Sequence, residues 1–200
     1  MADTYVYSIG DGLYINMTNR CTNKCRFCIR YTDSGIGDYD LWLKKEPSVD
    51  EVMAALKEYN LSDFKEIVFC GYGEPLIRFD DCMEICRKIR EISNIQIRIN
   101  TNGHANIYAG RDVTREMAGV VDIISISLNA SNAKDYNKIC KCDYGEAGFE
   151  AMIDFAKKCT KYVPRVIMSV VDVIDKESIE ECKRIAQSIG AEFRVRKYSN

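Results

Sequence analysis

The chain reads as an α/β fold, an open six-stranded partial TIM barrel of (β/α)6 type with parallel strands. Three observations predict it. Six apolar, strand-like runs alternate with five amphipathic helical stretches, which points to a parallel sheet with helices packed on it. The chain has 200 residues: enough for a single domain over 1–200 with a sizeable core, but short of the ~250 of a closed eight-stranded barrel. The strands also carry polar residues at alternate positions, unlike the near-continuous apolar runs of strands buried on both faces. One face should therefore meet the helices, and the other should line a polar lumen able to hold a ligand.

Side chains alternate faces along a strand, so each strand can be read in turn. On the first, 13–18, Leu13, Ile15 and Met17 oppose Tyr14, Asn16 and Thr18. A helix near 48–60 leads to the second strand, 66–70, and a helix near 80–92, with Asp80 as a start, leads to the third, 95–100. There Ile95, Ile97 and Ile99 oppose Gln96, Arg98 and Asn100. A helix near 112–119 precedes the fourth strand, 122–129, where Ile124, Ile126 and Leu128 oppose Ser125, Ser127 and Asn129. A helix near 147–160 precedes the fifth, 164–171, with Ser169 amid valines. The last helix, near 176–189, starts at Ser178 and stops at Gly190. The sixth strand, 192–198, sets Phe193 and Val195 against Arg194, Arg196 and Tyr198. A one-layer sheet with a solvated face is the alternative, and helices between successive strands weigh against it.

The unusual residues fall just after strands, where sites form in parallel α/β folds. The first strand leads into Cys21-Thr22-Asn23-Lys24-Cys25-Arg26-Phe27-Cys28, the second into Gly71-Tyr72-Gly73-Glu74-Pro75, the third into Asn100-Thr101-Asn102-Gly103-His104, and the fourth ends in Ser127-Leu128-Asn129. Thiolates are soft ligands, so cysteines at C-x3-C-x2-C spacing suit an iron–sulfur cluster or zinc. Three of them leave one metal position open for chemistry.

C-x3-C-x-Phe-C after a first strand resembles the radical SAM superfamily. The resemblance implies that Cys21, Cys25 and Cys28 hold three irons of a 4Fe–4S cluster, while the fourth iron chelates the amino and carboxylate groups of S-adenosylmethionine. Gly71, Tyr72, Gly73 and Glu74 resemble the superfamily's Gly-Gly-Glu element, which binds the methionine amino group, with Tyr72 replacing the first of the paired glycines. Asn102 and Asn129, with Ser127 beside them, match ribose-hydroxyl partners. For Asn102-Gly103, ordinary turn chemistry is an equal alternative. By the same resemblance Phe27 contacts adenine and Ser169 the methionine carboxylate. The implied activity is reductive cleavage of S-adenosylmethionine to a 5′-deoxyadenosyl radical that abstracts hydrogen from a substrate in the lumen. The implied partners are an electron donor such as flavodoxin or ferredoxin and an unidentified substrate, a large one being admissible to an open barrel. The segments 19–23 and 41–47 give a closer resemblance to the small TatD-nuclease-associated radical SAM proteins.

Several residues stand outside these motifs. The period places Arg98, Arg194 and Arg196 on the inward face with no acidic residue on the strand segments to pair them. Unpaired buried guanidinium groups are costly, so an anionic substrate is expected as their partner. His104, the only histidine, reads as structural or solvated. Cys82, Cys86, Cys159 and Cys182 read as small buried hydrophobes on helices. Cys140 and Cys142 form C-x-C in a loop, without the further ligands that a second cluster would need. Residues 31–42 form a long loop beside the cysteines, suited to a lid.

Composition narrows the remaining classes. The net charge is −2 with no basic run, so no nucleic-acid footprint is indicated. No stretch approaches about 18 uninterrupted apolar residues and no signal-like segment opens the sequence, so a cytoplasmic location with no membrane contact is expected. There, ten cysteines read as ligands or buried thiols and not as a disulfide framework. Two other classes remain: an iron–sulfur electron-transfer protein, which would want a fourth cysteine near the loop, and a zinc-binding interaction module.

Overall fold

The computed structural model describes residues 3–31 and 36–198. A hairpin opens the sheet: β1 (Val6–Ile9) pairs antiparallel with β2 (Gly12–Ile15), Ile9 opposite Gly12. Gly10 and Asp11 connect them, with Gly10 at φ +58° and Asp11 outside the positive-φ region. A positive φ at the first central position alone is the type II′ pattern, whose twist matches the flanking strands. The strands β3 (Glu66–Phe69), β4 (Gln96–Thr101), β5 (Ile123–Ser127), β6 (Arg165–Val171) and β7 (Glu192–Arg196) follow in chain order, each parallel to its predecessor from β2 onward. The six parallel strands β2–β7 are those the alternation predicts. The extra edge strand β1 was missed, although Gly-Asp between two apolar runs is a hairpin signal.

Among the described residues six α-helices accompany the sheet: α1 (Val49–Leu56), α2 (Phe79–Ile92), α3 (Ala105–Ala109), α4 (Ala133–Cys140), α5 (Ala147–Cys159) and α6 (Lys176–Ser188). α1 opens with a capping box, Ser48 and Glu51 each accepting the other's backbone N–H. α2 begins at Phe79, which puts Asp80 and Asp81 in its first turn, where a carboxylate complements the helix dipole. Ser178 also lies inside the first turn and is not the helix start; the cap of α6 is Asp175, whose Oδ1 accepts from Ser178 N at 2.8 Å. Gly190 follows α6 at φ +79°, the left-handed stop expected there.

Two expectations are corrected. The helix near 112–119 is only a 3-10 turn, Thr114–Met117, and α3 precedes it. The segment holding Cys140 is not a loop but α4, capped by Asn132 Oδ1 accepting from Asp135 N at 2.9 Å, with Tyr136, Ile139 and Cys140 turned inward. With only those three buried positions, α4 gives too weak a 3.6-residue period to stand out from a loop.

The helix-facing side of the sheet is apolar as predicted. Ile67, Phe69, Ile97, Ile99, Ile124, Ile126, Met168 and Val170 are buried in one cluster with Ile85, Ile89, Met152 and Phe155. Cys82, Cys86, Cys159 and Cys182 are buried in it too, as small fillers. β7 departs from the pattern: Phe193 is half-buried and Val195 is 45% exposed, because β7 is the sheet's edge. Among the described residues no helix is long and apolar enough to cross a membrane.

Candidate active site

The C-terminal ends of the parallel strands surround a cavity of about 370 Å³. The cysteine loop contributes Cys21, Cys25, Phe27 and Cys28, and the loop after β3 contributes Gly71, Tyr72, Gly73 and Glu74. Asn102 follows β4, Ser127 and Asn129 follow from β5, and Arg196 closes one side from β7. Four motifs that sequence places on separate strands thus face one space.

The loop after β3 is built to lie against the segment that enters the cysteine loop. A Cβ on Gly73 would overlap the carbonyl oxygens of Thr18 and Arg20, and one on Gly71 would overlap the Asn16 side chain. Glu74 N donates to Arg20 O across the same seam at 2.8 Å. The glycines therefore serve loop-on-loop contact as well as the ligand approach read from sequence. Tyr72 is buried beside Tyr7 and Leu41, and its ring meets that of Trp42 at 5.2 Å. This holds part of the 31–42 loop in place, of which residues 32–35 lie outside the described residues.

Glu74 is the hinge pin of this edge. Its carboxylate accepts from Leu76 N (3.1 Å), Thr101 Oγ1 (2.7 Å) and Asn102 N (2.6 Å), tying the ends of β3 and β4 together. Burial pushes its pKa up to about 7, and the three donors pull the other way.

Beneath the cysteine loop runs a buried polar chain. Asn102 Nδ2 donates to Thr22 Oγ1 at 2.8 Å, and Thr22 Oγ1 lies 2.9 Å from His104 Nδ1. His104 Nε2 lies 3.0 Å from Gly148 O. A carbonyl only accepts, so Nε2 carries the hydrogen and Nδ1 accepts from Thr22. Asn23 Nδ2 donates to Tyr136 OH at 2.9 Å, which also meets His104 Nε2 at 3.2 Å. His104 is buried, and burial lowers its pKa to about 4, leaving it neutral and structural as expected. Asn102 Oδ1 accepts from His104 N at 3.0 Å, so the Asn102 amide serves the turn and the strut under the loop. That is the turn alternative, and it leaves Asn129 Oδ1 and Ser127 as the sugar-diol candidates, of which Asn129 Oδ1 has no donor.

Asn129 stands at φ +59°, left-handed backbone that a short polar side chain tolerates. Its Oδ1 is buried without a donor, and so is that of Asn23; both residues line the cavity. A buried acceptor left unpaired costs ~1–3 kcal/mol, and ligand hydroxyl or ammonium groups would supply the missing donors. The three cysteine thiols are raised in pKa: Cys21 to about 12 by burial, Cys28 by burial, and Cys25 first by its hydrogen bond with Cys140 and then by burial. Among the described residues no three His, Cys, Asp or Glu side chains gather as they would on one ion. Three thiolates that each meet a different iron do not need to. The donor set and the adjoining orphaned acceptors fit a cluster with S-adenosylmethionine beside it.

Three sequence expectations are revised. Arg98 does have an acidic partner: Glu66, two residues from its register neighbour Val68, receives Arg98 Nε at 2.9 Å and Nη2 at 2.5 Å. Burial works against the Arg98 charge, but the Glu66 hydrogen bond and charge outweigh it and raise the pKa. Arg98 is therefore a strut in the barrel floor, away from the cavity lining. Arg194 is exposed on the edge strand and also lies outside the lining. Ser169 is buried with its Oγ 3.5 Å from Ile126 O, again outside the lining. Only Arg196 of the three arginines borders the cavity, donating to Ser127 Oγ at 3.3 Å. Cys70, Lys197 and Tyr198, not among the sequence candidates, also line it; their signal is position alone, at the C-terminal ends of β3 and β7.

Residues 15–189 match the sequence profile of the radical SAM superfamily. The chain belongs to the radical SAM superfamily. Members work with a 4Fe–4S cluster and S-adenosylmethionine, the two cofactors expected from the cysteine and Gly-Glu-Pro motifs. This radical SAM chain is 25% identical over 187 residues to molybdenum cofactor biosynthesis protein 1 of Dictyostelium discoideum, covering 93% of this chain and 28% of that protein. It is 28% identical over 165 residues to a probable dual-specificity RNA methyltransferase RlmN of Caldanaerobacter subterraneus, covering 80% of this chain and 44% of the relative. The chain thus spans less than half the length of these relatives. Its fold is also that of Streptococcus suis SuiB in a crystal structure bound to S-adenosylmethionine, with a TM-score of 0.68, 19% identity, and coverage of 96% of this chain and 40% of SuiB.

Proposed function

We propose that this chain is a radical SAM enzyme that cleaves S-adenosylmethionine reductively and uses the 5′-deoxyadenosyl radical to abstract a hydrogen atom from a substrate in the lumen. The supporting observation is the meeting of the three-cysteine loop and three further strand-end motifs on one cavity of about 370 Å³. The cluster, when bound, supplies the electron for the cleavage. Cys21, Cys25 and Cys28 would hold it, leaving one iron free of protein ligands. Gly71, Tyr72, Gly73 and Glu74 would receive the methionine end, with Glu74 keeping that loop against Asn102. Phe27 would lie against the adenine, and Asn129 Oδ1, now without a donor, with Ser127 would take the ribose hydroxyls. Arg196 at the cavity wall favours a substrate carrying an anionic group. The electron would come from a small donor protein such as flavodoxin or ferredoxin.

The test is anaerobic reconstitution with iron and sulfide, followed by reductant and S-adenosylmethionine and chromatography for 5′-deoxyadenosine. We expect 5′-deoxyadenosine from the parent chain and none from Cys28→Ala. Equal amounts from both, or none from a parent chain carrying four irons, would overturn the reading.

A further inference from the structure

The surface outside the cysteine loop differs in charge from the rest of the molecule. Two segments meet there, 22–28 and 133–143. Amides of the loop reach the last turn of α4: Lys24 N donates to Cys140 O at 2.8 Å, and Arg26 N donates to Ile139 O at 3.2 Å. These carbonyls have no partner within the helix, so the loop satisfies them. Past α4, Asp143 N donates to Thr22 O at 2.9 Å. Together the segments carry Lys24, Arg26, Lys134, Lys138 and Lys141 against Asp135 and Asp143, a net +3 (5 − 2). The whole chain is −2, so everything else sums to −5 (−2 − 3).

The cations face solvent. Tyr136, Ile139 and Cys140 form the inward side of α4. Lys134, Lys138 and Lys141, spaced i, i+4 and i+7, are exposed on the other side, and Lys24 and Arg26 are exposed too. Lys24 is paired with Asp143 at 2.9 Å. Among the described residues the other four have no carboxylate within ion-pair distance. The helix does not account for the stripe. A cation in the last turn complements the helix dipole, but Lys134 stands in the first turn, where it opposes it. Arg26 and Lys138 also wall a cleft of about 220 Å³ with Ile139 and exposed Val173, where Asp135 and Asp175 are the acidic neighbours. None of the five cations lines the cavity on which the strand-end motifs meet. A molecule bound here meets the cysteine loop from outside that cavity, at the residues flanking Cys25, and does not enter the lumen.

We propose that this face docks an acidic electron-donor protein, whose carboxylates pair with Arg26, Lys134, Lys138 and Lys141 and whose electron enters through the cysteine loop. The proposal rests on the ligand assignment made above and adds where the donor binds. One electron leaves the donor's reduced flavin and enters the cluster; in this chain no bond forms or breaks and no proton moves. Opposite charges steer the encounter and fix orientation more than they add affinity. A nucleic acid is the other polyanion that meets basic surfaces, and it follows a basic stripe. Here Asp135 and Asp143 interrupt the stripe, and the lumen lies elsewhere.

The test uses the full chain as parent, the double variant Lys134→Glu/Lys138→Glu, and Lys57→Glu, a reversal at an exposed lysine that ends α1. Binding of an acidic flavodoxin is measured by calorimetry before the cluster is installed. Reduction of the reconstituted cluster is then followed by absorbance, with reduced flavodoxin or with photoreduced deazariboflavin, an uncharged small reductant. At about 0.1 M salt the double variant should bind flavodoxin roughly tenfold more weakly than the parent and be reduced by it roughly tenfold more slowly, a gap that closes near ~1 M salt, where charges are screened within ~3 Å. Lys57→Glu should match the parent, and deazariboflavin should reduce all three alike. Parent-like flavodoxin binding by the double variant, an equal loss in Lys57→Glu, or slowed reduction by deazariboflavin would overturn the proposal. So would a short single-stranded RNA that displaces flavodoxin from the parent. A parent chain that binds flavodoxin through these lysines but assembles no four-iron cluster would uphold the surface and overturn the ligand assignment.

Discussion

The two sides of the cavity are built differently. Under the cysteine loop, Thr22, Asn23, Asn102, His104 and Tyr136 are buried and joined by hydrogen bonds, with Glu74 clamping β3 to β4 above them. On the β7 side, Arg196, Lys197 and Tyr198 are all exposed, and the Arg196 side chain makes a 3.3 Å bond to Ser127. The first side is preorganised at a cost in buried polar groups that only mutual satisfaction offsets. The second is adaptable. A cofactor of fixed shape suits the first, and a substrate that differs among relatives suits the second.

The largest expected effect breaks the rigid side outright. Replacing Cys21, Cys25 or Cys28 with Ala should abolish the stable cluster, while Cys82→Ala should keep its iron and cost only packing, roughly 2 kcal/mol. Iron analysis after anaerobic reconstitution distinguishes them, and an iron-free Cys82→Ala would refute the ligand assignment. Next, Gly73→Ala should destabilise the chain by about 3 kcal/mol in urea unfolding, because its Cβ would meet backbone at Thr18 and Arg20 that has no rotamer to escape into. Gly71→Ala should cost less, since the obstacle there is the Asn16 side chain.

His104 offers a pH test of the same floor. Its pKa in the folded chain is about 4 against an ordinary 6.5, so the unfolded chain binds more protons between those values. The contribution is fully present above pH 6.5 and is lost as pH falls toward 4, amounting to roughly 3 kcal/mol at 1.36 kcal/mol per unit. Glu74 acts oppositely: its pKa is raised from 4.5 to about 7, so its protonated form favours the fold and stability is lost as pH rises through that window. Comparing parent with His104→Gln at pH 4.5 and 7 isolates the histidine. The parent's advantage should shrink at the lower pH, and a constant difference would contradict a buried neutral imidazole.

The smaller effects sharpen the contrast. Arg98→Ala should cost about 2 kcal/mol by stranding Glu66, with much of the loss recovered in an Arg98→Met, Glu66→Gln double variant. Arg196→Ala should change unfolding by less than about 0.5 kcal/mol, leaving its effect to appear in substrate turnover. A stability loss at Arg196 as large as that at Arg98 would erase the distinction between strut and reader.

Much of this was legible in residue order. Period-2 alternation on Ile97 and Ile99 against Arg98 and Asn100 identified which face meets the helices, and the cysteine and Gly-Glu-Pro loops could be placed after their strands. The partner of Arg98 was not legible, because Glu66 stands at a strand start whose register with β4 is set only when the two strands pair. α4 was missed because eight residues with three inward positions barely register as a helical period.

Sequence alone determined the chemistry-bearing set: three thiols within one turn-rich loop, glycines where backbone must approach, and strand faces that alternate. These are local properties, carried by spacing and residue type. Tertiary structure alone decided which polar groups are satisfied and which are left open. It gave Asn102 to the floor, left Asn129 Oδ1 without a donor, paired Arg98 with Glu66 and joined Lys24 N to Cys140 O. Hydrogen bonds act over about 3 Å, a distance that residues 116 positions apart (140 − 24) can share only once the sheet has closed around its lumen.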